Sequence, residues 1–485
     1  MMNDAVERLM QYVDAQPTAP AIITRKGEMT YGEFGHLVRR LAHAISTAGE
    51  HPRVLIQLPQ GANAYAAMFA TLWAGGYYSP MNLDAPNARQ KLIRDQFGAD
   101  IAVTTAALKP MLEGFGGLVV TIDDLPAAQL TKPRKAHDLA YVIFTSGSTG
   151  VPKGVMIGRD SLAHYLHWAI PALTIGPGDR CSQHPNIGFD LSVLDIYASL
   201  CSGAALAPLT DAKDRLMPAE AIRDLALTIW ISVPSVVDLI RRARQATPAN
   251  LANLRMLLFC GEPLLPAHLE SLFTAVPGAT VLNTYGPTEA TVSCTALTLL
   301  ADNYRAACAS NVAFGEAIPG MRLDLIGGEH ENEGEIVLSG IQLARGYWGD
   351  PERTAQAFRP LPDESGVGYF TGDWGERRNG HLFFSNRIDR QVKIHGFRFE
   401  LGEVDAALRR AGVTGSFTIF AADMIVSFIE GEADTKALHA ELAKHLPAYG
   451  QPKEIRVLPA LPRNSNDKID ALALARLVNE GEKRA

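Results

Sequence analysis

The chain has 485 residues, of which 47% are hydrophobic and 20% are charged, an ordinary globular composition with enough length for several cores. Its formal net charge is −7 and it has no run rich in lysine or arginine, so we expect no nucleic-acid partner. No apolar run is long enough for a membrane span, and the acidic start lacks the apolar core of a signal peptide. Five scattered cysteines without a Cys-x-x-Cys pair predict free thiols, no zinc site and a cytoplasmic protein.

The predicted elements begin with an alternation of short apolar strands and helical patterns. Strands are predicted over residues 54–58, 101–104, 118–122, 229–233, 256–260 and 280–282, and helices over 62–73 and 218–225. Such alternation predicts parallel α/β sheets. After about Gly315 the pattern changes to short strands and glycine-rich turns, as in residues 334–340. This change predicts a smaller β-rich subdomain.

A domain boundary is predicted near Asp389. Strands and turns over 369–373 and 380–384 precede it, while a strand over 391–394 and a helix over 401–408 follow it. The remaining length is typical of a small domain. We therefore expect an N-terminal domain over 1–388 and a smaller C-terminal domain over 389–485.

Residues 145–154 read Thr-Ser-Gly-Ser-Thr-Gly-Val-Pro-Lys-Gly and follow the apolar run 141–144. Glycines permit positive φ and close approach, so this loop can present N–H groups, hydroxyls and one ammonium to an anion. The common P-loop spacing, Gly-x-x-x-x-Gly-Lys, is absent. A plain glycine–serine turn is the alternative, and the ordered string favours an anion-binding loop.

At this loop the chain resembles the adenylate-forming enzymes, the superfamily of acyl-CoA synthetases, luciferases and amino-acid adenylation domains. The resemblance runs from about Tyr31 to Lys468. It implies a large N-terminal domain of packed α/β subdomains with a β-rich subdomain, and a small mobile α+β C-terminal domain. ATP and a carboxylate would meet at the junction between these domains. The implied chemistry needs cations, N–H donors and Mg²⁺, because both reactants are anionic.

The resemblance also implies the nucleotide-binding residues. The string Asn-Thr-Tyr-Gly-Pro-Thr-Glu over 283–289 follows a predicted strand; a turn before a helix is its alternative interpretation. Tyr285 would stack on adenine, Asn283 would bind its edge, Thr288 would meet the α-phosphate and Glu289 would hold Mg²⁺. The remaining implied residues are Thr145, Ser146, Gly147, Ser148, Thr149, Lys153, Gly261, Thr284 and Gly286.

Four further residues near the second domain complete this implied set. Asp373 would accept hydrogen bonds from the ribose hydroxyls, and Arg387 would donate to the ribose or its phosphate. Asp389 would be the hinge, and Lys468 the catalytic lysine. Asn-Asp-Lys replaces the family's usual Asn-Gly-Lys around Lys468, and Asn386 stands where glycine is common. Asparagine and aspartate tolerate positive φ, so both turns can survive.

The substrate class depends on Asp190 in Phe-Asp-Leu-Ser. Burying a substrate ammonium without a partner is costly, and amino-acid adenylation domains place an aspartate here to pair with it. A helix N-cap is the alternative role. By resemblance, the side-chain pocket comprises Leu191, Leu194, Ser232, Leu258, Cys260, Thr284, Val292 and Ser293. No member is charged or aromatic, which favours a small side chain, and the two serines leave room for a substrate hydroxyl.

The segments around this pocket look closest to D-alanine:carrier-protein ligases, in which a cysteine at the position of Cys260 favours the D-enantiomer. A merely buried, apolar thiol is the alternative role. We expect adenylation of D-alanine, with L-alanine, glycine or serine as alternatives, and transfer to the phosphopantetheine thiol of an acyl or peptidyl carrier protein in trans. A stand-alone nonribosomal-peptide loading enzyme, a ligase for a small non-amino carboxylate and an inactive homologue remain alternative hypotheses.

Overall fold

The computed structural model describes residues 4–147, 150–387, 390–394, 396–413, 415–463 and 469–482. The chain packs as two compact units. The first comprises Met1–Asn82, Phe97–Ile143 and Gly154–Asn386, and the second comprises Leu83–Gln96, Phe144–Lys153 and Arg387–Ala485. Two segments from early in the chain therefore pack with the C-terminal residues. The predicted division at residue 389 into two functional domains stays a prediction.

Some of the described α-helices begin at caps that the sequence makes recognisable. Thr30 and Glu33 form a capping box at the start of α2, and proline occupies the first turn of α8 and α11. The helices are α1 (Ala5–Ala15), α2 (Tyr31–Ile45), α3 (Ala62–Trp73), α4 (Asn87–Phe97), α5 (Arg159–Ala172), α6 (Leu191–Leu200), α7 (Ala212–Leu216), α8 (Pro218–Asp224), α9 (Ser235–Arg242), α10 (Pro248–Leu251), α11 (Pro266–Ala275), α12 (Pro351–Ala357), α13 (Leu401–Arg410), α14 (Thr435–Leu442) and α15 (Ala471–Glu482).

The described strands are mostly short and rich in β-branched residues. They are β1 (Pro20–Thr24), β2 (Gly27–Thr30), β3 (Arg53–Gln57), β4 (Tyr77–Pro80), β5 (Ile101–Thr104), β6 (Leu118–Thr121), β7 (Leu139–Thr145), β8 (Lys153–Gly158), β9 (Arg180–Gln183), β10 (Ala205–Pro208), β11 (Ile229–Ser232), β12 (Met256–Phe259), β13 (Thr280–Tyr285), β14 (Thr295–Leu299), β15 (Glu316–Ala317), β16 (Met321–Gly327), β17 (Glu333–Gly340), β18 (Phe358–Pro360), β19 (Val367–Arg378), β20 (His381–Arg387), β21 (Gln391–Ile394), β22 (Phe397–Glu400), β23 (Ser416–Ala421), β24 (Met424–Glu430) and β25 (Glu454–Leu458).

Two large sheets organise the first unit. One has the order β15-β14-β13-β12-β11-β9-β10-β1-β2, and the other has the order β6-β5-β3-β4-β7-β8. Strands β9 to β13 pair in parallel, as do β3 to β6. A continuous apolar core contains residues of both sheets and of α2, α3, α5 and α6. These parallel sheets confirm the predicted α/β fold class.

A third sheet follows in the first unit, with the order β16-β17-β19-β18 and with β20 paired to β19. Its pairings described by register are antiparallel. Isoleucine, valine and leucine at the centre of β17 are buried, whereas its ends are more exposed. This sheet confirms the predicted β-rich subdomain.

The C-terminal residues of the second unit have an α+β arrangement. A hairpin of β21 and β22 precedes a three-stranded sheet with the order β23-β24-β25. One apolar core joins Phe399, Val404 and Leu408 to α14, and another joins Phe428 and Leu474. Within the described ranges no helix has the length and apolar character that a bilayer crossing requires.

Candidate active site

Most of the predicted residues in the first unit lie near the carboxyl ends of three adjacent parallel strands. Ser232, Phe259 and Asn283 are register partners across β11, β12 and β13. Ligands of open α/β sheets bind outside this edge of the strands. The sheet therefore brings together three segments that are separated in the sequence.

The predicted pocket residues on these strands are directly connected. The Cys260 N–H donates to the Ser232 carbonyl at 3.4 Å, and the Cys260 Sγ lies 3.7 Å from the Val292 carbonyl oxygen. The Thr284 hydroxyl donates to the Phe259 carbonyl at 3.0 Å. Leu191, Leu194 and Leu258 belong to the same apolar cluster as Cys260 and Val292. The set therefore consists of buried side chains that belong to one packed region of the first unit.

The hydroxyls of the two predicted pocket serines are already hydrogen-bonded within the protein. The Trp230 indole N–H donates to the Ser232 Oγ at 2.7 Å, and this hydroxyl donates to the Val233 carbonyl at 3.1 Å. The Ser293 Oγ and the Tyr165 hydroxyl are 2.9 Å apart. Part of the hydrogen-bonding capacity of both serines is thus already used within the protein, while the expected room for a substrate hydroxyl stays a prediction.

Asp190 is the residue immediately before α6, but its carboxylate makes no capping hydrogen bond. The alternative role of a side-chain N-cap is therefore wrong. The carboxylate is close enough to Tyr141 and Tyr165 to affect both phenols. Burial raises their pKa values well above 10, and Asp190 contributes to both shifts. Both phenols are therefore neutral near pH 7.

Tyr141 brings a further polar group to this region. Its hydroxyl is buried and has no hydrogen-bond partner among the described residues. An unpaired buried hydroxyl costs about 1–3 kcal/mol. The region beside Asp190 therefore has hydrogen-bonding capacity that the described part of the protein does not use.

The loop that carries Val292 and Ser293 has a strained backbone. Thr291 and Val292 have φ values of 56° and 69°, which is rare for β-branched residues. The loop also packs tightly on Gly286, where an added Cβ would lie 2.5 Å from the Ser293 Cα. Such geometry persists only where surrounding contacts fix it.

Gln342 supplies those contacts from the turn after β17. Its buried amide nitrogen donates to the carbonyls of Ala290 and Ser293 at 3.2 and 3.0 Å. The Thr291 hydroxyl donates to the Gln342 carbonyl at 2.6 Å. The Gln342 Oε1 is 2.9 Å from the His164 Nδ1. One residue thus supports the strained loop through both its side-chain amide and its backbone carbonyl.

The predicted adenine and ribose residues also lie in the first unit. The Tyr285 hydroxyl donates to the Asp373 carboxylate at 2.5 Å, and its ring packs against Phe314 with centroids 4.7 Å apart. Burial raises the Tyr285 pKa well above 10, and Asp373 raises it further. The Asn283 amide donates to the Ala313 carbonyl at 2.8 Å. The structure brings Tyr285 and Asp373 together, while their nucleotide contacts stay predictions.

Glu289 lies in a short 3-10 helix, Thr288–Ala290. Its side chain is buried and accepts a hydrogen bond from the Tyr347 hydroxyl at 2.8 Å. Within the described part of the chain, no three His, Cys, Asp or Glu side chains form a metal cluster. A single carboxylate nevertheless fits Mg²⁺, which usually takes one or two protein carboxylates together with water and phosphate oxygens.

The glycine-rich loop belongs to the second unit. The Ser146 hydroxyl donates to the Arg398 carbonyl at 2.8 Å, and the Thr145 Oγ1 is buried without a partner among the described residues. Lys153 is mostly buried at the start of β8. Ser148 and Thr149 lie outside the described residues. The loop therefore presents a mixture of occupied and unpaired donors.

A carboxylate holds one backbone N–H of this loop. The Gly147 N–H donates to the Glu403 Oε1 at 2.9 Å, and the other carboxylate oxygen lies 2.8 Å from the Arg89 guanidinium. The Glu403 side chain is 1% exposed and that of Arg89 is 9% exposed. The Gly147 N–H, which the sequence predicts to bind a phosphate group, thus donates to a carboxylate of the protein itself.

The remaining predicted residues have a simpler placement. Gly261 follows β12 with a φ of 95°, a conformation that favours glycine. Arg387 ends β20 and belongs to the second unit. The predicted hinge Asp389 and the predicted catalytic Lys468 lie outside the described residues.

Sequence reasoning missed Tyr165, Gln342, Tyr347, Glu403 and Arg89. None of them occurs in a motif with a recognisable spacing. The Tyr165–Ser293 contact joins residues 128 positions apart, and the Gly147–Glu403 contact joins residues 256 positions apart. No local sequence signal could have found these pairs.

Comparison with known proteins gives the family. Residues 9–348 match the model of the AMP-binding enzyme family. A D-alanine–D-alanyl carrier protein ligase of Staphylococcus aureus is 30% identical, over 99% of this chain and 100% of that relative.

Solved structures extend the likeness. The Vibrio cholerae adenylation domain AlmE, in complex with glycyl-adenosine-5'-phosphate, has a TM-score of 0.86 and 27% identity, covering 99% of this chain and 98% of that one. The nonribosomal peptide synthetase protein PA1221, which contains adenylation and carrier domains, has a TM-score of 0.83 and 25% identity, covering 98% and 84% of the two chains. The chain belongs to the AMP-binding family of the adenylate-forming superfamily and is an AMP-forming, ATP-dependent adenylating ligase.

Proposed function

We propose that this ligase activates a small amino acid as its aminoacyl-adenylate and transfers the aminoacyl group to the phosphopantetheine thiol of a carrier protein in trans. D-Alanine is the favoured substrate, with L-alanine and glycine next. The observation that carries the proposal is the position of the Asp190 carboxylate, which stands directly before the predicted pocket residue Leu191 and near the neutral phenols of Tyr141 and Tyr165. Such a carboxylate suits the α-ammonium of an amino acid.

Tyr141 supports the same substrate class. Its unpaired, buried hydroxyl lies near enough to Asp190 for that carboxylate to raise its pKa. A phenol oxygen can accept a hydrogen bond from an ammonium group. Asp190 and Tyr141 can together replace the water that the substrate ammonium loses.

The proposed reaction has two steps. A carboxylate oxygen of the amino acid attacks the α-phosphorus of ATP, and the bond to pyrophosphate breaks. The carrier thiol then attacks the acyl carbon, and AMP leaves. Tyr285 and Asp373 would position the adenosine, Thr288 would meet the α-phosphate, and Arg387 would donate to the ribose or its phosphate. Such positioning and charge stabilisation provide most of the catalysis in phosphoryl chemistry.

Within the second unit, Thr145, Ser146, Gly147 and Lys153 would bind the β- and γ-phosphates. Ser148 and Thr149 are assigned to the same task by the family motif. The Gly147 N–H is hydrogen-bonded to Glu403, so a phosphate oxygen must displace that carboxylate to use this donor. Glu289 would hold Mg²⁺, which neutralises charge on the phosphate oxygens when bound.

The relatives support the substrate and the acceptor. One is named for D-alanine and a carrier protein, one structure contains glycyl-adenosine-5'-phosphate, and another joins an adenylation domain to a carrier domain. A small uncharged pocket is consistent with all three. Cys260, in contact with the Val292 carbonyl, is the proposed source of any preference between alanine enantiomers.

The direct test is ATP–pyrophosphate exchange with D-alanine, L-alanine, glycine and serine, and with propionate as the control that lacks an ammonium group. We expect exchange with at least one small amino acid and none with propionate. Equal exchange with propionate would contradict the proposal. Transfer to a carrier protein is then measured by mass spectrometry of the intact carrier.

Lys468 provides a separate prediction for catalysis. Replacing it by alanine (Lys468→Ala) is expected to lower the rate of adenylate formation by 10²-fold or more, because an ammonium no longer neutralises the developing phosphoryl charge. ATP affinity should change little, as measured by equilibrium binding. Wild-type exchange in this variant would remove the assignment of Lys468.

A further inference from the structure

Tyr165 lies behind the predicted pocket and is connected to it through one serine. The phenol is fully buried in α5, its ring centroid is 5.8 Å from that of Trp168, and its hydroxyl is 2.9 Å from the Ser293 Oγ. Burial raises its pKa well above 10, with Cys260 and Asp190 among the contributing groups. Tyr165 is thus neutral, is in hydrogen-bond contact with Ser293, and feels the electrostatic influence of Cys260 and Asp190.

The position of Ser293 against this phenol is fixed from a second direction. His164, the neighbour of Tyr165 on α5, contacts the Gln342 side chain at 2.9 Å. Gln342 in turn donates to the Ser293 carbonyl at 3.0 Å. Adjacent residues of one helix therefore hold both the side chain and the backbone of Ser293.

The hydrogen bond between Tyr165 and Ser293 affects how well the pocket can accept a substrate with a side-chain hydroxyl, such as serine. The Ser232 hydroxyl is similarly engaged by Trp230 and by the Val233 carbonyl. A serine substrate would have to replace one of these internal partners, or rely on the hydrogen-bonding capacity that remains on the two serine oxygens and so have fewer partners for its hydroxyl than in water. Either result is unfavourable. A methyl group or a hydrogen atom meets no such penalty.

We propose that Tyr165 is a specificity-determining positioning residue. Its hydroxyl is hydrogen-bonded to the Ser293 hydroxyl, which is then less available to a substrate hydroxyl. The enzyme therefore uses alanine or glycine and discriminates against serine. This inference rests on the proposed function. It predicts that wild-type enzyme prefers alanine over serine by about 10–100-fold in kcat/KM, the range that small pockets achieve.

The test is a double-mutant cycle on the two hydroxyls, measured by ATP–pyrophosphate exchange with alanine and serine. Tyr165→Phe keeps the ring and frees the Ser293 hydroxyl, while Ser293→Ala frees the Tyr165 hydroxyl. Each variant should raise the serine-to-alanine ratio of kcat/KM about tenfold, which corresponds to about one hydrogen bond. In the double variant neither hydroxyl remains, so the ratio should return close to the wild-type ratio.

Tyr197→Phe is the matched control. It also deletes a fully buried hydroxyl, one that lies 3.0 Å from the Tyr78 hydroxyl and belongs to no proposed site. Its serine-to-alanine ratio should equal that of the wild type. A general loosening of the core would raise the ratio in this control as well, and that result would overturn the inference.

The outcomes separate the inference from the proposed function. If the wild type exchanges pyrophosphate with no amino acid, both are overturned. If it uses alanine or glycine but both single variants keep the wild-type ratio, only the role of Tyr165 is lost. Should either single variant fail to fold, the other and the wild-type preference still test the inference, because a wild type that prefers serine contradicts it.

Discussion

The pocket of the first unit and the glycine-rich loop of the second unit satisfy their polar groups in opposite ways. In the pocket, serine hydroxyls are hydrogen-bonded to neutral aromatic side chains, as in the Tyr165–Ser293 contact at 2.9 Å. In the loop, the Gly147 N–H is held by the Glu403 carboxylate, which also pairs with Arg89. The first arrangement is built from neutral groups, and the second contains charges.

This difference suits the pocket to discriminating between substrates and the loop to changing its hydrogen bonds when an anion binds. A pocket closed by neutral hydrogen bonds changes little with salt or competing ions, so it is suited to discriminating substrates by shape. A backbone N–H that donates to a carboxylate can instead donate to a more highly charged anion, such as a phosphate group, when that anion displaces the carboxylate. Three predictions test how far this contrast holds, from the largest expected effect to the smallest.

The largest effect is expected for Arg89→Leu. The Glu403 side chain is 1% exposed, so removing its partner leaves a buried charge. Loss of one partner of a buried pair costs about 3–5 kcal/mol. Chemical denaturation should show this loss in the free energy of unfolding of the second unit.

Lys91→Ala is the control on the same helix. Lys91 pairs with Asp95 at 2.6 Å, but both side chains are largely exposed. Exposed pairs contribute about 0–1 kcal/mol. A loss in Arg89→Leu no larger than in this control would show that the loop is not held by its charged pair.

The next effect is expected for Asp190→Asn, which tests whether the otherwise neutral pocket depends on one charge. Removing a charged partner of a desolvated ammonium costs about 2–3 kcal/mol, or roughly a 30- to 150-fold loss of kcat/KM for the amino acid. ATP binding should be retained when it is measured by calorimetry. Unchanged exchange with alanine would remove Asp190 from the substrate site.

The smallest effect concerns the pH dependence of stability and His184, which lies next to Trp230, the hydrogen-bond partner of Ser232. Burial lowers the pKa of His184 from 6.5 to about 4, with Arg215 contributing. Its ring lies 5.7 Å from Trp230. Because the unfolded chain binds this proton more tightly, the stabilisation is complete above about pH 6.5 and is lost as the pH falls towards 4.

We therefore expect His184→Gln to remove on the order of 1 kcal/mol of the pH dependence of stability between pH 6.5 and 5. The measurement is the denaturation midpoint of wild type and variant across this range. Parallel pH profiles would show that His184 titrates normally.

Much of the fold could be predicted because the local patterns are strong. The helix Ala62–Trp73 and the strands Ile101–Thr104 and Gln391–Ile394 have the bounds that the sequence predicts. The strand predicted over 280–282 continues to Tyr285, and the helix predicted from Leu401 continues to Arg410. Pairing in the sheet, which extends β13, depends on partners that lie elsewhere in the chain.

The candidate site divides in the same manner. Asn283 and Asp190 could be proposed because they lie in recognisable motifs, whereas Ser232 could be proposed from the family resemblance alone. The sequence also suggested a pocket without aromatic residues, whereas the structure places Tyr165 and Trp230 directly behind its serines. The Tyr165–Ser293 contact arises from tertiary packing of segments that are far apart in the sequence. It therefore could not be predicted from the spacing of residues along the chain.

Gln342 has a consequence for redesigning the pocket. Its amide nitrogen is a donor surrounded by backbone oxygens. Deamidation to glutamate would replace this donor by an anionic acceptor facing the same oxygens and would push the left-handed segment away from its support. A mutant library that varies only the pocket residues would keep the hydrogen bonds of Gln342 to the loop. A library that also varies Gln342 would disrupt the loop itself, and its variants would lose the pocket instead of accepting new substrates.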